Sequence, residues 1–194
     1  PKGVMLSHQN LVSNVLASEP RLPVGGDQRA LSFLPLCHVF ERMLDYLLIY
    51  KSVSIYYAES IETIGDDLKD VKPHLFATVP RLLEKVYDKI VTKGSELSGL
   101  KKGLFFWALE LGLKYDPIKP GGAWYNLQLK LANKLIFSKW REALGGNVKA
   151  VVSGGAALQP RLARVFTAAQ IPVLEGYGLS ETSPVISVNS LHPE

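Results

Sequence analysis

Residues 176–184, GYGLSETSP, place two glycines around a tyrosine and follow them with a hydroxyl, a carboxylate and a second hydroxyl before a proline. The preceding IPVLE is a short apolar run of strand type, and the following VISVNS alternates apolar and polar residues like another strand. The polar cluster therefore sits at a strand end. In open α/β sheets ligands bind beyond the carboxyl ends of the strands, where glycine lets backbone approach a ligand closely. The residue types thus point to a nucleotide or phosphate pocket. The same residues would also make a plain turn whose Ser180 and Thr182 hydroxyls bond local backbone, and the stretch alone leaves both readings open.

A second glycine-bearing strand end, VVSGGAAL at 151–158, precedes the first by one predicted helix, PRLARVFTAA. Parallel neighbours in one βαβ unit carry both loops to the same edge of the sheet and make a two-walled slot. Gly154, Gly155 and Ala156 leave no side chain in the way of a flat ring, Tyr177 offers an aromatic face, and the backbone of Gly176, Tyr177 and Gly178 offers hydrogen-bonding groups to a base edge. Adenine fits such a slot. Ser180 would then donate to a phosphate, and Glu181, a hard oxygen ligand, would hold the Mg2+ that accompanies a nucleoside triphosphate. The plainer reading is that the glycines end a strand and Glu181 is a solvated surface acid.

The elements that must position these loops follow from periodicity. Ser7 can cap a helix with Leu11, Val12, Val15 and Leu16 on one face; ALSFLPL, SVSIYYA and HLFATVP read as strands; HVFERMLDYLLIY, SIETIGDDLKDV and RLLEKVYDKIV read as helices. The regular alternation predicts an α/β fold, a mainly parallel sheet flanked by helices. Residues 98–116 and 123–144 break the rhythm as two successive helices around a Pro/Gly-rich turn, a helical insertion (about 98–144) at the side of the sheet. Strand VKAVVSGG then restores the alternation.

The bulk numbers exclude several classes. The 194 residues, 47% hydrophobic, suit one sizeable core. The net charge of +4 is mildly basic, but the lysines and arginines are scattered among acids, which argues against nucleic acid binding. The single cysteine, Cys37, is expected to be a small buried hydrophobe in a reducing, cytoplasmic setting. The most apolar run, GLFFWALELGL, is interrupted by Glu110 and is too short to span a bilayer; its aromatics are expected in the core, with a peripheral membrane-facing surface as the alternative. The chain opens at Pro1 and ends directly after a strand, so both ends are expected to be cuts within a larger protein.

PKGVMLSHQNLVSN, FLPLCHVFERM, TVPRLLEKVYDKI, VSGGAAL and GYGLSETSPVISVN, in this order, resemble the acyl-adenylate-forming (AMP-binding) superfamily, and most closely its long-chain fatty acid–CoA ligases. The resemblance implies that Gly154, Gly155 and Ala156 face one side of the adenine and Glu175, Gly176 and Tyr177 the other. Ser180 stands where the family usually has a threonine touching the α-phosphate, and Glu181 matches the Mg2+-binding glutamate. His38 matches a ring that lines the acyl pocket, Pro80 and Arg81 belong to a stretch that borders the acyl tunnel, and Val39, Val79 and Val185 can supply apolar wall. Lys2, in the final residues of the phosphate loop, is a candidate phosphate cation.

The activity so implied consumes ATP, Mg2+ and coenzyme A, and turns a fatty acid first into an acyl-adenylate and then into acyl-CoA. It further implies that residues 1–194 are part of the large N-terminal domain, without the C-terminal domain, the ribose-binding aspartate and the mobile lysine, so that this segment alone would be inactive. Small-molecule substrates are the expected partners, with pairing to a second copy through exposed sheet edges left open. An aryl or medium-chain acid ligase, or a non-catalytic nucleotide-binding or assembly module, remain the alternatives.

Overall fold

The computed structural model describes residues 3–119 and 121–190. Helix α1 (His8–Ser18) starts at Ser7, whose hydroxyl accepts from the Asn10 amide at 3.1 Å, as the capping reading expects. It is followed by β1 (Arg29–Ser32), α2 (Val39–Tyr50), β2 (Ser54–Tyr57), α3 (Ile64–Val71), β3 (Leu75–Thr78) and α4 (Pro80–Ser95). The chain continues through α5 (Gly99–Leu113), α6 (Ala123–Ala132), a π-helical turn over Asn133–Phe137 and α7 (Ser138–Ala143). It closes with β4 (Ala150–Ser153), α8 (Pro160–Ala168), β5 (Val173–Gly178), a 3-10 turn over Ser180–Thr182 and β6 (Val185–Val188).

The strands form one six-stranded sheet in the order β2-β1-β3-β4-β5-β6, parallel throughout except for the antiparallel β5–β6 pair. The α/β expectation is met. Alternation along each strand divides the core in two. Leu31, Phe76, Val151 and Val173 face one layer of helices, whereas Ala30, Leu75, Ala77, Val152 and Leu174 face α1 and α2. On α2, Met43, Leu44, Leu47 and Leu48 are buried at helical spacing. On α1 only Val15 is buried; Val12 and Leu16, expected on the same apolar face, are exposed.

The insertion lies within the β3-to-β4 crossover, beside the sheet as expected, where it packs on α8 and joins the core cluster on one face of the sheet. Phe105, Ala108 and Leu109 of α5, with Phe137 and Trp140, are buried against α8 and the strands. The aromatics of GLFFWALELGL are thus core, with Phe106 and Trp107 partly buried. A polar bolt fixes the insertion. Asn133 donates to the Ala168 carbonyl at 2.8 Å, and the Arg141 guanidinium donates to the Asn133 side-chain oxygen at 2.8 Å and to the Ala169 carbonyl at 2.7 Å, satisfying carbonyls at the end of α8.

A second polar link ties α2 to β1. Ser32 donates to a Glu41 oxygen at 2.6 Å, and the Tyr57 hydroxyl donates to Asp45 at 2.9 Å. Both carboxyls are buried, and the second oxygen of each makes no hydrogen bond. Burial pushes the Glu41 carboxyl up to about 7, only partly offset by the Ser32 hydroxyl and raised further by Asp45. Burial likewise raises Asp45. A carboxyl whose folded pKa lies above its unfolded value of 4.5 contributes stability that is full below the unfolded value and is lost as pH rises through about 7. The Glu41→Gln variant is therefore expected to flatten the decline in stability between the two values, by an amount on the order of 3 kcal/mol at most. Urea unfolding of both proteins across that interval checks it; parallel curves would reject the assignment.

Candidate functional site

The parallel register brings the carboxyl ends of β3, β4 and β5 level, with Thr78 beside Ser153 and Ser153 beside Glu175. All three side chains fall on the face of the insertion, since each is an even step from Phe76, Val151 and Val173. The two glycine loops that follow β4 and β5 therefore lie side by side at one sheet edge. A direct bond joins them: the Leu158 amide donates to Glu175 Oε1 at 3.2 Å. Asn189 holds the other side of β5, accepting from the Glu175 amide at 2.7 Å through its side chain and donating its own amide to the Glu175 carbonyl at 3.2 Å.

The slot between the loops differs in detail from the expectation. Gly154 is buried, and a Cβ there would lie 3.0 Å from the Phe40 ring, so its bare face is already filled by α2. Gly155, with φ of +83°, and Ala156 are exposed, and the nearest side chain to a Cβ at Gly155 is Val79 at 3.9 Å. Opposite them Gly176 is half-buried, with the Ser153 carbonyl oxygen 3.9 Å from where a Cβ would lie, and Tyr177 is 63% exposed. The Glu175 carboxylate is occupied by the Leu158 amide, so what it offers a ligand is position.

The turn after Gly178 is built from within. Thr182 Oγ1 accepts from the Leu179 amide at 2.9 Å and lies 2.6 Å from the Pro184 carbonyl to which it can donate. A Cβ at Gly178 would sit 1.9 Å from that carbonyl oxygen, so only glycine allows the close approach. The plain-turn reading thus holds for Thr182. Ser180 and Glu181, on the outer side of the same 3-10 turn, are exposed and form no side-chain hydrogen bond with a described residue. Strand β6 is pegged by Asn14 of α1, which donates to the Val185 carbonyl at 2.7 Å and accepts from the Val185 amide at 3.2 Å.

An apolar cavity of about 900 Å³ lies between the sheet and the helices of the insertion side. Phe33 and Thr78, at the ends of β1 and β3, line it at the site edge, and Leu82, Val86, Leu104 and Leu135 line it farther out. None of the five residues expected to wall the acyl site lines this cavity. His38 is exposed at the cap of α2; Val39 is half-buried on the first turn; Val79 is half-buried beside Gly155; Pro80 is buried at the start of α4. Val185 packs on the opposite face of the sheet, with the α2 core. For Val185 the cause is strand parity: the sequence shows that it begins a strand but not which face it takes. Arg81 is exposed near Glu84, at 4.0 Å.

Cys37 is exposed in the turn before α2 and is not the buried hydrophobe expected: its neighbours Leu36 and His38 are exposed with it, so the turn offers it no packed surroundings among the described residues. Lys2 lies outside the described residues. Sequence reasoning missed Phe40 under Gly154, the two asparagine pegs and the wall from Leu82 and Val86; the last had a signal, the apolar spacing of RLLEKV on the helix that follows Thr78.

A family model described as AMP-binding enzyme matches residues 1–194. Among curated proteins, long-chain-fatty-acid--CoA ligase 5 of Mus musculus is 36% identical over 98% of this chain, and fatty acyl-CoA synthetase A of Dictyostelium discoideum is 37% identical over 93%. The chain spans 28% and 26% of the length of these relatives. The solved long-chain-fatty-acid-CoA ligase of Archaeoglobus fulgidus superposes with a TM-score of 0.64 at 16% identity, covering 98% of this chain and 31% of that one. An o-succinylbenzoate coenzyme A synthetase of Bacillus subtilis in complex with AMP gives 0.62 at 14% identity, covering 98% and 29%. Both show the same fold.

The geometry of the turn separates two glycines two residues apart. Gly178→Ala is expected to destabilise the fold by about 1–3 kcal/mol through the clash with the Pro184 carbonyl, and Gly176→Ala by less than about 1 kcal/mol. Denaturant midpoints of the two variants decide it, and equal losses would mean that the turn is not held by that contact.

Proposed function

The chain belongs to the AMP-binding enzyme family, and on that premise we propose that it is a core part of the large N-terminal domain of an ATP-dependent long-chain fatty acid–CoA ligase. The observation that carries the reading is one juxtaposition. The facing loops at Gly155–Ala156 and Gly176–Tyr177, the unpartnered Ser180 and Glu181, and the polar end of a large apolar cavity at Thr78 meet along one sheet edge. A head group to be activated and a long apolar tail need such neighbours.

In this reading adenine enters between the exposed Gly155–Ala156 backbone and the Tyr177 ring, which has room to stack. Ser180 then faces the α-phosphate with a free hydroxyl. A fatty carboxylate seated near Thr78, with its chain in the cavity, attacks the α-phosphorus; pyrophosphate leaves, and the thiol of coenzyme A later displaces AMP from the acyl-adenylate. Both loops are fixed before substrate arrives, by the Leu158–Glu175 bond and the Thr182 contacts, which is the positioning such chemistry needs. Gly154 serves the site by letting α2 pack under the loop, and His38 stands at the end of the same helix.

The donor set fits Mg2+ of a particular kind. Among the described residues no group of three or more His, Cys, Asp or Glu is placed to hold a metal ion. A lone exposed carboxylate such as Glu181 suits an ion that keeps most of its waters and takes its other ligands from nucleotide phosphates. When bound, Mg2+ supplies charge neutralisation at the phosphates. The cavity volume supports a long chain over an aryl or medium-chain acid, since about 900 Å³ is at the top of the range of small-molecule pockets. The segment on its own is expected to lack ligase activity, the remaining machinery lying in the rest of the protein.

Two measurements on the full-length protein test the reading. Glu181→Ala is expected to lower fatty-acid-dependent ATP–pyrophosphate exchange on the order of 100-fold while leaving the unfolding midpoint unchanged; near-normal exchange at limiting Mg2+ would reject the metal role. Val86→Trp, which puts bulk into the cavity away from its Thr78 end, is expected to lower kcat/KM for long acids by about 10-fold or more relative to short ones. An unchanged chain-length profile would mean that the acyl chain lies elsewhere.

A further inference from the structure

Strand β6 carries the chain out of the turn that holds Ser180 and Glu181, and apolar packing fixes it weakly. Ile186 and Ser187 are exposed, and Val185 and Val188 are only half-buried. Both valines line a small apolar void of about 30 Å³, together with Gly176 of β5 and Phe40 and Leu44 of α2. Pairing with β5 covers three positions around the bulge at Tyr177 and Gly178. A short strand over unfilled space has slack that a close-packed core would not allow. The loop it leaves is compact by itself: the Leu179 amide donates to the Pro184 carbonyl at 3.1 Å, and Thr182 bonds within the same turn. Residues 179–184 therefore move as one piece between Gly178 and Val185, which face each other across the β5–β6 pair. Held only at the β5 end, that piece would pivot about the bulge. Asn14 supplies the second anchor. Half-buried on α1, it donates to the Val185 carbonyl at 2.7 Å and accepts from the Val185 amide at 3.2 Å, and α1 is fixed at its own start by the reciprocal Ser7–Asn10 cap.

We propose that Asn14 is a positioning residue of the adenylation site, which fixes the tilt of the 179–184 loop and thereby the place of Ser180 and Glu181 at the nucleotide phosphates. This rests on the nucleotide part of the reading above and not on the acyl chain. Satisfying two backbone groups does not by itself call for an asparagine, because water at a half-exposed strand can do the same. What water cannot supply is a tie to a helix. Because α1 starts at Ser7, shortly after the Lys2–Gly3 segment expected to meet the phosphates, the same amide ties Glu181 to the helix that leaves that segment. A catalytic group displaced by as little as about 1 Å can lose on the order of 100-fold in rate, so a tie remote from the chemistry can govern it.

The test uses the full-length protein with Asn14→Leu, similar in size but without either hydrogen bond, and with Asn14→Asp, which keeps the acceptor and loses the donor. The Val185 amide is expected to exchange its hydrogen faster in Asn14→Leu. In ATP–pyrophosphate exchange, run with a carboxylic acid that the wild type accepts, both variants are expected to raise KM for MgATP, Asn14→Leu by about 10-fold or more, and to leave KM for the acid unchanged. A merely structural role would lower the active fraction, and with it the apparent kcat, without moving either KM. Combined with Glu181→Ala, Asn14→Leu is expected to add little, because both act on one turn. Should Asn14→Leu fail to fold, Asn14→Asp gives the same split and the same comparison with Glu181→Ala. An unchanged KM for MgATP, or losses that multiply in full with those of Glu181→Ala, would overturn the role of Asn14. A wild type that accepts only an aryl or medium-chain acid, with the split present in the variants, would uphold Asn14 and reject the long-chain reading.

Discussion

Parallel pairing in register is the constraint on which the rest of the molecule depends. Because β1, β3, β4 and β5 run the same way, every loop that leaves their carboxyl ends emerges at one edge, and Thr78, Ser153 and Glu175 stand in a row there. A shift of one residue in any pair would send the strand's apolar set to the wrong face. The alternation of Leu75, Phe76 and Ala77, all buried but split between two core clusters, resists that shift. The geometry of the site is thus held by burial on both faces of the sheet, and its polar groups are not asked to hold themselves.

What the loops add is local closure. Strand β6 returns antiparallel and would be a weak edge if it relied on β5 alone, since this four-residue strand pairs at three positions around a bulge near Tyr177 and Gly178. Asn14 of α1 imitates a strand on its other side, giving Val185 both a donor and an acceptor. Asn189 does the same for Glu175. Thr182 bonds within the turn, to the Leu179 amide and the Pro184 carbonyl, and the side chains of Ser180 and Glu181 form no hydrogen bond with a described residue.

The legible part of this arrangement was the part written in local periodicity. Strand and helix order, the insertion, and the pairing of the two glycine loops all follow from spacing and turn residues, which short-range sterics impose. Facing was legible only where alternation was long enough to set it. Val185 begins a four-residue strand, where one residue of parity decides between cavity and opposite core, and it takes the opposite core. Gly154 reads as an open backbone position, yet its space is taken by Phe40, a residue more than a hundred positions away. The lysines read as scattered because they are: Lys89, Lys101 and Lys139 gather only when α4, α5 and α7 pack together.

The insertion explains why such a cavity survives in a core. A helix such as α4 is long enough by itself to carry the chain from β3 back toward β4, so the additional helices are not required by connectivity. They form the outer wall of a volume of about 900 Å³ that ordinary packing would have filled, since protein interiors leave few voids larger than a water molecule. Apolar lining left without neighbours forfeits dispersion contacts, and the loss grows with the volume left empty. Asn133 and Arg141 bolt the wall to the end of α8, and Trp140 packs edge-on against Phe166 of the same helix. A wall held at a distance by hydrogen bonds and ring contacts cannot collapse onto the strands. An apolar chain lying in that space would restore the contacts that the folded protein forgoes.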